Sequence, residues 1–148
     1  MSTKVESANL LIKLYDLRRE EVMRQARTWF VGFNPESAQE IASLTGENSA
    51  YYRMVTTYWD MACSFVNQGA IDEEMFNEAN GEHVLVFAKV EPFLAELRSM
   101  FGSRIMPNIE KLVRRMPDAD ARLTRTRDML KQLAARRAAE DAKAQTEQ

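Results

Sequence analysis

The chain has 148 residues, 45% hydrophobic and 28% charged, with a formal net charge of −2, which is the composition of one globular domain and excludes a disordered chain. At this length folding buries roughly 70% of the surface that the unfolded chain exposes, so a core needs neither disulfides nor metals. Cys63 is the single cysteine, which excludes an intramolecular disulfide, and the longest stretch without a charge, Met61 to Ile71, is eleven residues, far short of a membrane span.

The first six residues show no basic region followed by an apolar one, so no signal peptide is read there, and the cytoplasm is the expected compartment. Thr3-Lys4-Val5-Glu6 has the form of a capping box. A long helix is expected to follow, with Ala8, Leu11 and Tyr15 opening an apolar stripe beside Ile12. Val22, Ala26, Trp29 and Phe33 continue that stripe to a stop at Gly32, and Arg18-Arg19-Glu20-Glu21 lies solvated between the two halves. Asn34-Pro35 reads as the start of a short helix that Gly46 ends. The next helix, from about Asn48, carries Tyr51, Tyr52, Val55, Tyr58, Trp59, Ala62, Phe65 and Val66. It is the densest apolar stripe and the expected centre of the core.

Asn67-Gln68-Gly69 ends that helix, and Asp72 caps a short acidic one that Asn80-Gly81 breaks. Val84, Phe87, Val90, Leu94, Leu97 and Phe101 then share a helical face with Pro92 inside it, so a kink or break is expected near residue 90. Pro107 to Met116 reads as a further helix with Ile109, Leu112, Val113 and Met116 inward. A last helix after Pro117-Asp118 has Leu123, Leu130 and Leu133 inward. Large apolar residues stop at about Ala138, so residues 138–148 read as a frayed polar tail. The expected fold is all-α, a single-domain bundle of about five to seven helices over residues 1–137, several of them short.

One segment has a wider likeness. Tyr51, Tyr52, Tyr58 and Trp59, followed by Asn67-Gln68-Gly69-Ala70-Ile71-Asp72-Glu73 and a break at Gly81, resemble a bacterial family of helical domains of unknown function over Asn48 to Phe87. The resemblance implies a helical fold and no activity. Some members of that family look membrane-tethered at the N-terminus. This chain departs from them, because its first helical stretch carries Arg18, Arg19, Glu20, Glu21 and Arg24.

Chemistry-bearing residues are few. His83 is the only histidine, and no Gly-rich oxyanion turn precedes Cys63 to make a nucleophile–base pair of the two. Glu73, Glu74, Glu78, Glu82 and His83 cluster in sequence, but carboxylate-bridged metal bundles need a Glu-x-x-His pair on each of two helices. Acids near helix N-termini explain the cluster as well. Phosphate-cradling Gly-rich motifs are missing from the sequence. No catalytic residue, metal or cofactor is therefore expected.

Two signals point to partners. Trp29, Phe30 and Phe33 are consecutive enough that all three rings cannot face one core, so they are either enclosed by other helices or reach a partner, a second copy of the chain above all. Charge is also uneven: residues 1–100 carry 9 Lys+Arg and 15 Asp+Glu, and residues 101–148 carry 11 and 7. In the basic part, Arg122, Arg125 and Arg136 share one flank of the last helix, and Arg127 and Lys131 share the other. The expected function is a non-enzymatic helical interaction module, homodimeric in one form, with binding of nucleic acid or an anionic surface through Arg122, Arg125 and Arg136 as the alternative.

Overall fold

The computed structural model describes residues 1–147, and among them it contains helices and no strand. Helices α1 (Lys4–Arg18) and α2 (Glu21–Gly32) lead to the short α3 (Ala38–Ala42) and the long α4 (Gly46–Asn67). These are followed by α5 (Glu73–Ala79), α6 (Glu82–Val90), a 3-10 turn (Glu91–Phe93), α7 (Leu94–Phe101), α8 (Pro107–Arg115) and α9 (Ala119–Thr146). All-helical, single-domain architecture with several short helices is thus what the chain adopts.

The centre lies where expected. Val55, Trp59, Ala62, Cys63 and Val66 of α4 are buried. Helix α2 packs on one side of α4 through Met23, Ala26 and Phe30, and α8 on another through Ile109, Leu112 and Val113. Helix α6 fills the remaining side with Val84, Val86, Phe87 and Val90, and α9 lies over α6 through Leu123 and Leu130. Trp59 is 1% exposed, and cutting so large a buried side chain to Ala costs about 3–5 kcal/mol.

The expected first helix is two. The Glu20 carboxylate accepts from the N–H groups of Val22 (3.0 Å) and Met23 (2.9 Å), and so starts a new helix at Glu21. That acceptor satisfies amides which a continuing helix would have bonded to carbonyls. Helix α1 also faces differently from the expected stripe. Ser7 and Leu14 are its buried residues, while Ile12 and Tyr15 are 65% and 55% exposed. Two hydrogen bonds fix this orientation: the Asp72 N–H donates to Ser7 Oγ (3.0 Å), and Tyr58 O–H donates to the Leu14 carbonyl (2.5 Å).

The capping box at Thr3 and Glu6 is present in both directions. Asn34 does not cap α3; Ser37 does, its Oγ accepting from the Glu40 N–H. The Asn34 side chain is engaged instead with Gly32 and Lys89. Gly46 opens α4 with a φ of +57° rather than closing α3. Gly69, with φ +79°, does turn the chain out of α4, and Asp72 Oδ1 caps α5 by accepting from Met75 N–H. Pro92 breaks the long expected helix into α6 and α7 through the 3-10 turn. Helix α9 runs without interruption to Thr146, so residues 138–146 are helical, with alanine, the best helix former, repeated along that stretch.

Candidate functional site

A groove of about 690 Å³ runs along one face of α4. Ser49, Tyr52, Arg53, Thr56, Thr57, Asp60, Met61 and Ser64 recur at three- and four-residue steps and form its long wall. Opposite stand Ile41 of α3, Leu97 and Phe101 of α7, and Ile105 and Met106 of the loop before α8. Phe101, expected on one helical face with Leu94 and Leu97, is 64% exposed at this mouth while those two are buried.

The groove is drier than its composition suggests. Thr56 Oγ1 donates to the Tyr52 carbonyl (2.8 Å), Thr57 Oγ1 to that of Arg53 (2.5 Å) and Ser64 Oγ to that of Met61 (2.6 Å). Each hydroxyl is turned back on its own helix, so its one donor is already used. Asp60 is also engaged. Its Oδ1 accepts from the N–H groups of Asn108 and Ile109 (both 2.9 Å), and its Oδ2 accepts from Asn108 Nδ2 (2.9 Å). It thereby caps α8 from a distant helix, where the local cap position, Met106, sits at φ +51° with no side-chain cap of its own. Arg53 and Arg104 complete the rim. Among the described residues neither lies within ion-pair distance of a carboxylate.

Two polar clusters brace the body. Arg27 clasps Glu82, with Nε 3.0 Å from Oε1 and Nη2 2.7 Å from Oε2, and the Trp59 indole N–H donates to Oε1 at 3.2 Å. This ties α2, α4 and α6 together, so Glu82 serves the core rather than a metal cluster. His83 lies beneath, fully buried, with Nε2 3.2 Å from Asn77 Oδ1 and, among the described residues, Nδ1 without a partner. Burial is the main cause, and Arg122 a lesser one, that pushes its pKa down to about 4. The neutral ring sits among Trp59 and Phe76, with no hydrogen bond to Cys63. Cys63 is itself 0% exposed, and burial pushes its thiol pKa well up.

The second cluster is a buried ammonium. Lys89 Nζ donates to the carbonyl oxygens of Phe30 (2.9 Å), Val31 (2.8 Å) and Phe33 (2.6 Å), with Asn34 Oδ1 at 3.2 Å. The Val31 carbonyl is one that a helix leaves unbonded at its C-terminus, and the Phe30 carbonyl also accepts from the Phe33 N–H (3.1 Å). Burial and the neighbouring Arg137 bring its pKa down to about 8. Neither Lys89 nor Asp60 was among the candidate residues expected from the sequence. A lone cation inside Val84-Leu85-Val86-Phe87-Ala88-Lys89-Val90, and a lone acid inside the α4 stripe, were the signals for them.

The residues expected to meet partners are dispersed. Phe30 is 2% exposed and belongs to the core. Trp29 and Phe33 are half-buried and stack on each other, with ring centroids 4.8 Å apart and Tyr51 beside them. Arg122, Arg125 and Arg136 are exposed on α9 and, among the described residues, make no ion pair. Glu73 leaves its sequence neighbours to pair with Arg115. Among the described residues no three His, Cys, Asp or Glu side chains converge as a metal-holding group, and no helix is long and apolar enough to cross a membrane.

No curated protein and no solved structure matches the chain. A family model described as a domain of unknown function (DUF4760) matches residues 3–116. That span runs from the cap of α1 to the end of α8, taking in the groove and both polar clusters but not α9. The chain therefore belongs to this family of domains of unknown function.

Proposed function

We propose that the chain is a non-enzymatic, cytoplasmic helical module that works through protein contact, and first of all through a second copy of itself. The observation that carries this reading is the outer face of α1. Val5, Ile12 and Tyr15 are 71%, 65% and 55% exposed there, and with Ala8 they follow the three- and four-residue steps of a pairing stripe. Apolar residues left on a helix face opposite its buried side mark a surface that something covers. Trp29 and Phe33, stacked on each other, offer less. A cytoplasmic setting suits a lone buried thiol.

A second α1 laid antiparallel against this stripe satisfies it. Val5 faces Tyr15 of the second copy, Ala8 faces Ile12, and Lys13 comes beside Glu6 on the flank, twice over by symmetry. Light scattering at tens of micromolar tests the idea. The expected mass is twice the 17.0 kDa of the chain, falling to the single mass in Ile12→Asp with its helical circular dichroism unchanged. Monomer mass for the unaltered chain would rule the reading out.

The placement of Arg122, Arg125 and Arg136 favours a second reading. At about 100° per residue the three lie within roughly 60° of one another on α9, exposed and without carboxylate partners among the described residues. Contact with a nucleic acid or another polyanion then predicts retention on heparin that falls as salt rises. Changing the three to Ala removes it, and no retention at low salt ends this reading.

A further inference from the structure

We infer that the groove along α4 is a binding site for a single-chain amphiphile with one anionic head, namely a free long-chain carboxylate. This goes beyond self-association through α1 and does not rest on it, since the groove lies on α3, α4 and α7.

Size comes first. The groove's volume of about 690 Å³ falls within the range of about 300–1,000 Å³ usual for small-molecule sites. Its wall from Ser49 to Ser64 runs about 22 Å along α4 at 1.5 Å per residue. A partner helix about 10 Å across laid along that length occupies on the order of 1,700 Å³, more than twice the space. A single flexible chain fits within that space, whereas a helix would stand more than half outside it.

Chemistry comes second. Ile41, Leu97, Ile105 and Met106 line the groove with apolar surface, and the hydroxyls of Thr56, Thr57 and Ser64 are already bonded to their own helix. An apolar chain therefore enters without leaving any of those hydroxyls unbonded. The charges on the lining are Arg53, Arg104 and Asp60. Three N–H donors of Asn108 and Ile109 hold the Asp60 carboxylate. Arg53 and Arg104 have no carboxylate partner among the described residues, so the unfilled requirement of the site is one for negative charge. A guanidinium meets a carboxylate with two parallel N–H donors. Phe101 and Met61, 64% and 39% exposed at the mouth, gain cover when the site fills.

The experiment is titration calorimetry of the full chain with dodecanoate below its micelle concentration, with dodecanol as the neutral arm and phosphatidylglycerol vesicles as the membrane arm. Saturable binding of one dodecanoate per chain is expected. Arg53→Gln and Arg104→Gln should each weaken it by about tenfold, as the loss of one charge-assisted contact does, and dodecanol should bind no better than those variants. Both arginines are exposed, so the variants should keep the parent melting temperature. Thr57→Trp, at an exposed position on the wall, should block the groove and abolish binding. Three results would overturn the proposal: no saturable binding of dodecanoate, affinity unchanged by both arginine substitutions, or binding to the vesicles alone.

Discussion

Lys89 Nζ sits 2.9 Å from the carbonyl oxygen of Phe30, which comes fifty-nine residues earlier in the chain, and closes the C-terminal end of α2 with a buried positive charge. The favourable side is the helix dipole, whose negative end faces the ammonium. The unfavourable side is desolvation, which brings the pKa from 10.5 to about 8. Between those values the unfolded chain holds more protons than the folded one, so stability rises with pH and falls again as pH drops through 8. Urea unfolding should show a gain of up to about 1 kcal/mol from pH 8 to 9; above that the buried Cys63 thiol, its pKa also pushed well up, opposes the gain, because the unfolded chain loses its thiol proton first. Above pH 10 the half-buried Tyr52 and Tyr58, both pushed up to about 12, reverse the trend, because the unfolded chain then loses its tyrosyl protons first. In Lys89→Met the rise between pH 8 and 9 should be gone; an identical slope in that variant assigns the effect elsewhere.

His83 governs the acid side. Its pKa of about 4, lowered from 6.5, means that the unfolded chain takes up a proton first as pH falls. The neutral ring thus contributes stability that is complete above pH 6.5 and lost on the way down to 4, up to about 3 kcal/mol. Replacing it as His83→Phe keeps a ring between Trp59 and Phe76 and removes the titrating group. The difference in unfolding free energy between the two proteins should widen in favour of the variant from pH 6.5 to 4. A constant difference over that range contradicts the assignment.

Asp60 gives the third test. It supplies three hydrogen bonds to the start of α8, where Met106 holds a left-handed backbone that bulky residues avoid. Asp60→Ala removes all three bonds and should cost about 2–3 kcal/mol, more than a usual cap because the acceptor is ionised. Asp60→Asn keeps one acceptor oxygen and should fall between the two in chemical denaturation. A loss below about 0.5 kcal/mol, the scale of an ordinary surface substitution, would mean that α8 starts without this side chain.

Helices and their punctuation were legible in the sequence because their signals are local. Gly69 and Asp72 are placed by the turn chemistry of their own neighbourhood, and Leu112, Val113, Leu123 and Leu130 face inward as their spacing requires. The facing of α1 was not legible, since its interior is marked by Ser7, a polar residue buried for the sake of one N–H at Asp72. The break at Glu20 was hidden for a related reason: a carboxylate in a charged run looks solvated until it is seen to cap. The groove was beyond reach because α3, α4 and α7 meet only in three dimensions. Lys89 and Asp60 were missed because their partners are main-chain groups, which every residue owns and which leave no mark in a sequence.

Helix α9 spans about 42 Å at 1.5 Å per residue, yet its buried anchors are Leu123 and Leu130, and Arg137 Nη1 lies 3.6 Å from where a side chain on Gly32 of α2 would begin. One uninterrupted backbone therefore passes from a packed regime into water. Deuterium should enter the amides past Ala138 in the earliest sampling, because an isolated helical end opens without disturbing anything else. Those around Leu123 should wait for the whole molecule to open. A single helix thus carries its own internal ruler, on which the distance between the fastest and slowest positions reads out how firmly the body holds it.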